Sequence, residues 1–191
     1  MKVFNIILII TTLAVLFIAT LWDINLLNYS QPIAHTNFNE IELSDFRGLN
    51  RPYHSLHGSS RFAFISTDIQ IKYEDDQICI LSRFHPSRSY VYNKNMISRP
   101  LLTHELYHFH ITEYITRLFR KELTSINYKP SKKEVKNILH VYLDQENQLQ
   151  TQYDDETYHS YVLGKQQEWQ LKIDSLLLIT KQYENEVVYF K

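Results

Sequence analysis

The chain has 191 residues, a net charge of −1 and a single Cys. That charge balance gives no hint of nucleic acid or an anionic surface as a partner, and one cysteine excludes an internal disulfide. With 44% hydrophobic residues there is material for one domain of ordinary size, held by packing alone or with the help of a metal.

Val3 to Trp22 comes first, twenty residues without a charge, interrupted only by Asn5, Thr11, Thr12 and Thr20. As a helix rising 1.5 Å per residue it spans about 30 Å, the thickness of a bilayer's hydrocarbon core. Lys2 precedes it and Asp23, Glu40, Glu42 and Asp45 follow, so the start stays in the cytoplasm and the remainder crosses. The run exceeds the usual apolar core of a signal peptide, and no A-x-A cleavage site follows it. Residues 1–24 are therefore expected to be an uncleaved signal anchor that leaves the domain extracytoplasmic; a cleaved signal and a secreted product are the alternative. Asn25 to Asn39 reads as a polar linker and residues 40–191 as the domain.

Phe62-Ala63-Phe64-Ile65 and Ile69-Gln70-Ile71-Lys72-Tyr73 predict one broken strand or two short ones. Glu74-Asp75-Asp76 supplies a turn, Ile78 to Phe84 returns as the hairpin partner, and Pro86 closes it. Tyr90-Val91-Tyr92 adds a further short element. Cys79 falls inside the apolar strand, the place of a buried packing residue rather than a nucleophile.

Helical patterns follow. Leu101 to about Leu123 lacks Gly and Pro, with Pro100 at its start. It contains His104-Glu105-Leu106-Tyr107-His108, the H-E-x-x-H pattern of zinc hydrolases, expected by chance roughly 0.03 times in a chain of this composition. Residues four apart share a helix face, so both imidazoles can reach one ion, while Glu105 is displaced to where it can take a proton from water. His104 and His108 also share their face with Ile111, Ile115 and Leu118. Two histidines on an apolar face leave several nitrogens without partners, and one metal satisfies both. His110 and Glu113 lie too far round this helix to be ligands, and Glu113 is expected to pair with Arg117 on the outer face.

A catalytic zinc needs a third protein ligand. The compact H-E-x-x-H-x-x-G-x-x-H solution is absent, because position 111 is Ile and position 114 is Tyr. The downstream candidates are His140, Glu146, Asp154, Asp155, Glu156 and His159. Ser131 and Glu134 form a capping box that opens a second helix with a stripe of Val135, Ile138, Leu139 and Tyr142. His140 lies off that stripe and Glu146 continues it. His159 is preferred, because it ends a polar segment, 153–159, before a third helix marked by Trp169, Ile173, Leu176, Leu177 and Thr180. The acids of that segment would orient the imidazole or cap the third helix, with Asp154 or Asp155 as its N-cap. A small antiparallel sheet followed by three helices is an α+β order.

Several of these stretches resemble the DUF922 group of secreted zinc-dependent proteases, over about Ile41 to Leu177. The likeness is carried by Leu43-Ser44-Asp45-Phe46-Arg47-Gly48, by Ser89, by Leu101-Leu102-x-His104-Glu105-x-x-His108-Phe109-x-Ile111, and by Tyr153-Asp154-x-x-Thr157-x-His159. The resemblance implies a compact zincin whose metal is held by His104, His108 and His159. The chain departs from the group at His110, where Asp is usual, and at Ser160, where Gly follows the last His.

The expected activity is peptide-bond hydrolysis with a zinc cofactor, Glu105 as general base, and a peptide or protein substrate. Tyr158, Tyr161 and Arg88 are candidate donors to the oxyanion. The competing expectation is a membrane-anchored envelope protein that keeps zinc for structure or for binding a partner.

Overall fold

The computed structural model describes residues 2–23, 25–49, 63–92 and 98–190. Met1, Ile24 and Phe62, drawn into the expectations above, lie outside them. The first helix, α1 (Lys2–Asp23), contains a stretch, Phe4–Leu21, long and apolar enough to be a membrane span or a signal sequence, and none of it is buried against the protein.

The fold is α+β. Strand β1 is Ile33–Ala34, β2 Ala63–Phe64, β3 Thr67–Tyr73, β4 Gln77–Phe84, β5 Tyr90–Val91 and β6 Val187–Tyr189. Among the described residues β4 is the centre of an antiparallel sheet. It pairs with β3 along one edge (Ile71↔Ile80) and with both β1 (Ile33↔Phe84) and β6 (Ile78↔Val188) along the other. The Glu74–Asp76 turn joins β3 to β4 as expected. The two halves of the suspected broken strand are separate: β2 leaves the sheet and pairs with β5.

β4 alternates between half-buried and buried positions, and its buried Ile78, Ile80, Ser82 and Phe84 mark the face covered by helix α2 (Arg99–Thr124). Cys79 takes the opposite phase and is half-buried instead of sealed in the core, because strand side chains alternate faces. Ser98 caps α2, accepting from the Leu101 amide, and Pro100 sits in the first turn where no amide donor is needed.

Helix α2 is buried on more than one face. Phe109, Phe119 and Leu123 pack towards the sheet, while Ile111 packs with Tyr153 of α3 (Lys132–Thr157) and with Trp169 and Ile173 of α4 (Leu163–Ile179). The Glu113–Arg117 pair forms at 2.7 Å, but inside the protein and not on an outer face. Glu113 also binds Arg120 at 3.0 Å and accepts from Ser82. Burial would raise its carboxyl, yet Arg120, His35, Arg117 and Ser82 together hold it below the usual range. Arg120, 2% exposed, donates in turn to the carbonyls of Ile80, Tyr183 and Glu184.

The Ser131–Glu134 capping box opens α3 as expected. The helix then runs on to Thr157, through residues expected to form a polar loop. Neither Gly nor Pro interrupts it, and Glu146, Tyr153 and Thr157 keep turning inward at helical spacing. The acidic N-cap expected for α4 is absent, since Val162 occupies that position and makes no side-chain cap.

Residues 25–39 are packed against the domain and do not form a loose tether. Asn25 is buried and donates to the carbonyls of Arg47 and Ser87, and β1 adds to the sheet. Gly48 meets the chain again at Ser89: its amide donates to the Ser89 carbonyl at 2.7 Å, and any Cβ would lie 2.7 Å from that oxygen. Only glycine permits so close an approach.

Candidate metal centre

His104 and His108 project from α2 towards α3, as their four-residue spacing requires. Their Nε2 atoms are 3.2 Å apart. The Asp154 Oδ1 atom, from the last turn of α3, lies 3.0 Å from each. His159 follows just beyond the helix, its Nδ1 3.2 Å from the same carboxylate oxygen. The ligating atoms of His104, Asp154 and His159 all lie within 4.8 Å of one another, a group able to hold a metal ion.

The helix histidines are held from behind. Gln150 accepts from His108 Nδ1 and donates to the His108 carbonyl at 3.0 Å. His104 Nδ1 lies 3.5 Å from the Thr157 hydroxyl, which itself donates to the Tyr153 carbonyl at 2.7 Å. Tyr153 stacks on the His104 ring at 4.5 Å between centroids. With each Nδ1 turned to these partners, both Nε2 atoms face Asp154, and it is at Nε2 that a metal would take the place of the proton.

Burial pushes the His104 imidazole below its ordinary pKa. For His108 burial acts in the same direction, but the Asp154 hydrogen bond and the Glu105 and Asp154 charges outweigh it and raise the imidazole. Burial would raise the Asp154 carboxyl; hydrogen bonds from His104 and His108 and the charges of His108 and His159 hold it well below the carboxylate range.

Asp154 was legible only as one acid among several, since the segment around it looked like a loop. The missed signal is the helical spacing Glu146, Gln150, Tyr153, Asp154, Thr157, which continues the stripe begun at Val135. The other acids go elsewhere. Glu146 is buried and accepts from Thr112 at 2.6 Å, Glu156 accepts from Trp169 Nε1 at 2.8 Å, and Asp155 and His140 are exposed.

The centre opens into a cleft of about 1360 Å³. One wall is β2 and the start of β3, with Phe64, Thr67, Asp68 and Ile69; the other is α3, with Leu139, Leu143, Glu146 and Gln150. Glu105, His108, Asp154 and His159 line it too, joined by Tyr161. Of the three candidate oxyanion donors Tyr161 alone lines the cleft; Tyr158, 67% exposed, and Arg88 do not.

A hydrogen-bonded row couples the walls: Thr67 of β3 to Thr112 of α2 at 2.8 Å, and Thr112 to Glu146 and Gln150 of α3. The α3 backbone turns left-handed directly after the helix, at Tyr158 (φ 49°), His159 (φ 49°) and Ser160 (φ 79°). Ser160 therefore occupies a conformation that favours glycine, the residue the resemblance leads one to expect there.

No family model matches the chain, and no similar protein was found among curated proteins or solved structures.

Proposed function

We propose that this chain is a membrane-tethered, extracytoplasmic zinc-dependent peptidase of the DUF922 type, with a zincin-like domain. The observation that carries the reading is the triangle of His104 Nε2, His108 Nε2 and Asp154 Oδ1, with edges of 3.0, 3.0 and 3.2 Å. Ligands 2.0–2.1 Å from a tetrahedral zinc stand about 3.3–3.4 Å apart, so the donor set and its spacing fit that ion. Bound there, zinc supplies an acidified water and polarises a carbonyl.

The chain's own groups supply the rest. Glu105 is buried, lines the cleft and follows a ligand directly in sequence. It takes the proton of the attacking water as the new C–O bond forms and passes it to the amine nitrogen as the C–N bond breaks. Among the described residues β3 is an edge strand whose first residues line the cleft, which supports an extended peptide added as a further strand.

A second reading, a non-catalytic zinc-binding envelope protein, draws support from His159: a fourth nearby protein donor is a feature of closed structural sites. The test separating the two is Glu105→Gln in the full chain solubilised in detergent. The peptidase reading requires that the variant keep its zinc and fold while losing about 10²–10⁴-fold in hydrolysis of any peptide that wild type cleaves. Zinc-loaded wild type that cleaves nothing in a broad peptide pool sinks the peptidase reading and leaves the second.

A further inference from the structure

We infer that the metal's resident protein ligands are His104, His108 and Asp154, and that His159 is a substrate-contacting residue rather than a ligand. This rests on the peptidase reading above and assigns roles within its site.

The first argument is rigidity. His104 and His108 stand within the N-terminal half of α2, and Asp154 is in the last turn of α3. Both rings are fixed at their far nitrogens, by Thr157 and by Gln150. His159 lies past the end of α3 on three successive left-handed residues, and its side chain is 51% exposed against 1% for His104. Ligand sets are made precise by rigid elements and by partners behind each ligand: three of the four donors stand on helices, and two of those have a partner behind the ring.

The second argument is the number of positions. A tetrahedral zinc that activates water takes three protein ligands and leaves the fourth to the water. The triangle already supplies three. A fourth protein ligand would occupy the place of the water on which Glu105 acts.

The third argument is place. His159 lines the cleft with Glu105, while its Nδ1 is held on Asp154 at 3.2 Å. The other ring nitrogen is thereby left to meet a group on the substrate, anchored by the same carboxylate that binds the metal.

The test uses the full chain in detergent, with zinc affinity measured by chelator competition and the visible spectrum of the cobalt(II)-substituted protein as a second readout. Loss of a group that only orients a ligand costs about 10–100-fold in metal affinity, so Asp154→Ala and His108→Ala should each cost more than about 100-fold. His159→Ala should stay within about threefold of wild type, an order of magnitude below that range, leave the cobalt spectrum unchanged and still lower kcat/KM for peptide hydrolysis. Circular dichroism checks folding, and Asp154→Asn replaces Asp154→Ala if the latter fails to fold. A His159→Ala variant that loses zinc as His108→Ala does, with an altered cobalt spectrum, overturns the assignment and leaves the peptidase reading standing. Unchanged hydrolysis in His159→Ala overturns the substrate-contacting role. A wild-type chain that binds no zinc removes the peptidase reading and this inference together.

Discussion

Gln150 and His108 grip each other twice: the Gln150 amide oxygen accepts from His108 Nδ1, and the amide nitrogen donates to the His108 carbonyl at 3.0 Å. The side chain thus reads both the ring and the backbone of one residue of the candidate metal centre from the neighbouring helix. On the zinc reading proposed above, Gln150→Leu removes the acceptor that holds the His108 Nδ1 proton and should weaken zinc binding about 10–100-fold. Gln150→Glu keeps an acceptor at the same reach and should recover most of it. Equal zinc affinity in wild type and Gln150→Leu, measured by chelator competition, would remove this positioning role.

Ser160 holds φ at 79° without being a glycine. A non-glycine residue in the left-handed region costs roughly 1–2 kcal/mol, part of which is offset because glycine loses more freedom on folding. Ser160→Gly should therefore stabilise the protein by up to about 1 kcal/mol, a rise in Tm of about 2–4 °C for a domain of this size. Ser160→Val should lower it, since β-branched residues resist positive φ. A lower Tm for the glycine variant would count against strain at this position.

His35 packs against Phe38 and Phe109 and shares a hydrogen bond of 2.8 Å with His110. Burial lowers its pKa to about 4, with Arg117 and Arg120 acting in the same direction and Glu113 against them. Its folded pKa lies below the unfolded value, so the stability it contributes is complete above the unfolded pKa of 6.5 and is lost as pH falls towards about 4. Each such group can add a slope of at most about 1.4 kcal/mol per pH unit in that window. Urea unfolding followed between pH 4.5 and 7.5 should show a shallower decline in His35→Gln. Identical slopes would mean that His35 is already charged in the folded protein.

The apolar stretch Phe4–Leu21 is unburied by the domain. As an uncleaved anchor it should keep the chain with the membrane fraction through high-salt washing, and a reporter fused after Lys191 should respond as extracytoplasmic. A soluble product whose N-terminus falls near residues 20–25 would identify the segment as a cleaved signal instead.

The parts of this protein that repeat were readable from its sequence. Alternation along 78–84 gave the central strand, and helical spacing gave α2 and the stripe from Val135, because one face of each is buried. What escaped depends on contacts made across the chain. Val187–Tyr189 carries too short a pattern to predict a strand, and it becomes one only because β4 offers an edge. Asn25–Asn39 looked like a linker because Asn25 and His35 find their partners far along the chain, at Arg47, Ser87 and His110, which composition does not reveal. Asp154 was hidden by its setting among polar residues, where a helix's final turn and a loop look alike. The H-E-x-x-H histidines were plain because a four-residue spacing on a helix by itself puts both rings on one face.

The pairing of β4 with both β1 and β6 has a consequence for how this domain comes into being. The β3–β4 hairpin is local and can form early, whereas the β6 half of the other edge waits for a segment far along the chain, with Ile78 meeting Val188. Arg120 waits as well, because two of its carbonyl acceptors, Tyr183 and Glu184, arrive with that segment. Long-range contacts of this kind slow folding, since loop closure has to precede the gain. During synthesis the helix bearing His104 and His108 would thus exist before the support behind it does. A nascent chain stalled short of Tyr183 would present the histidine pair on an unsteady helix, its buried guanidinium left without two of its acceptors.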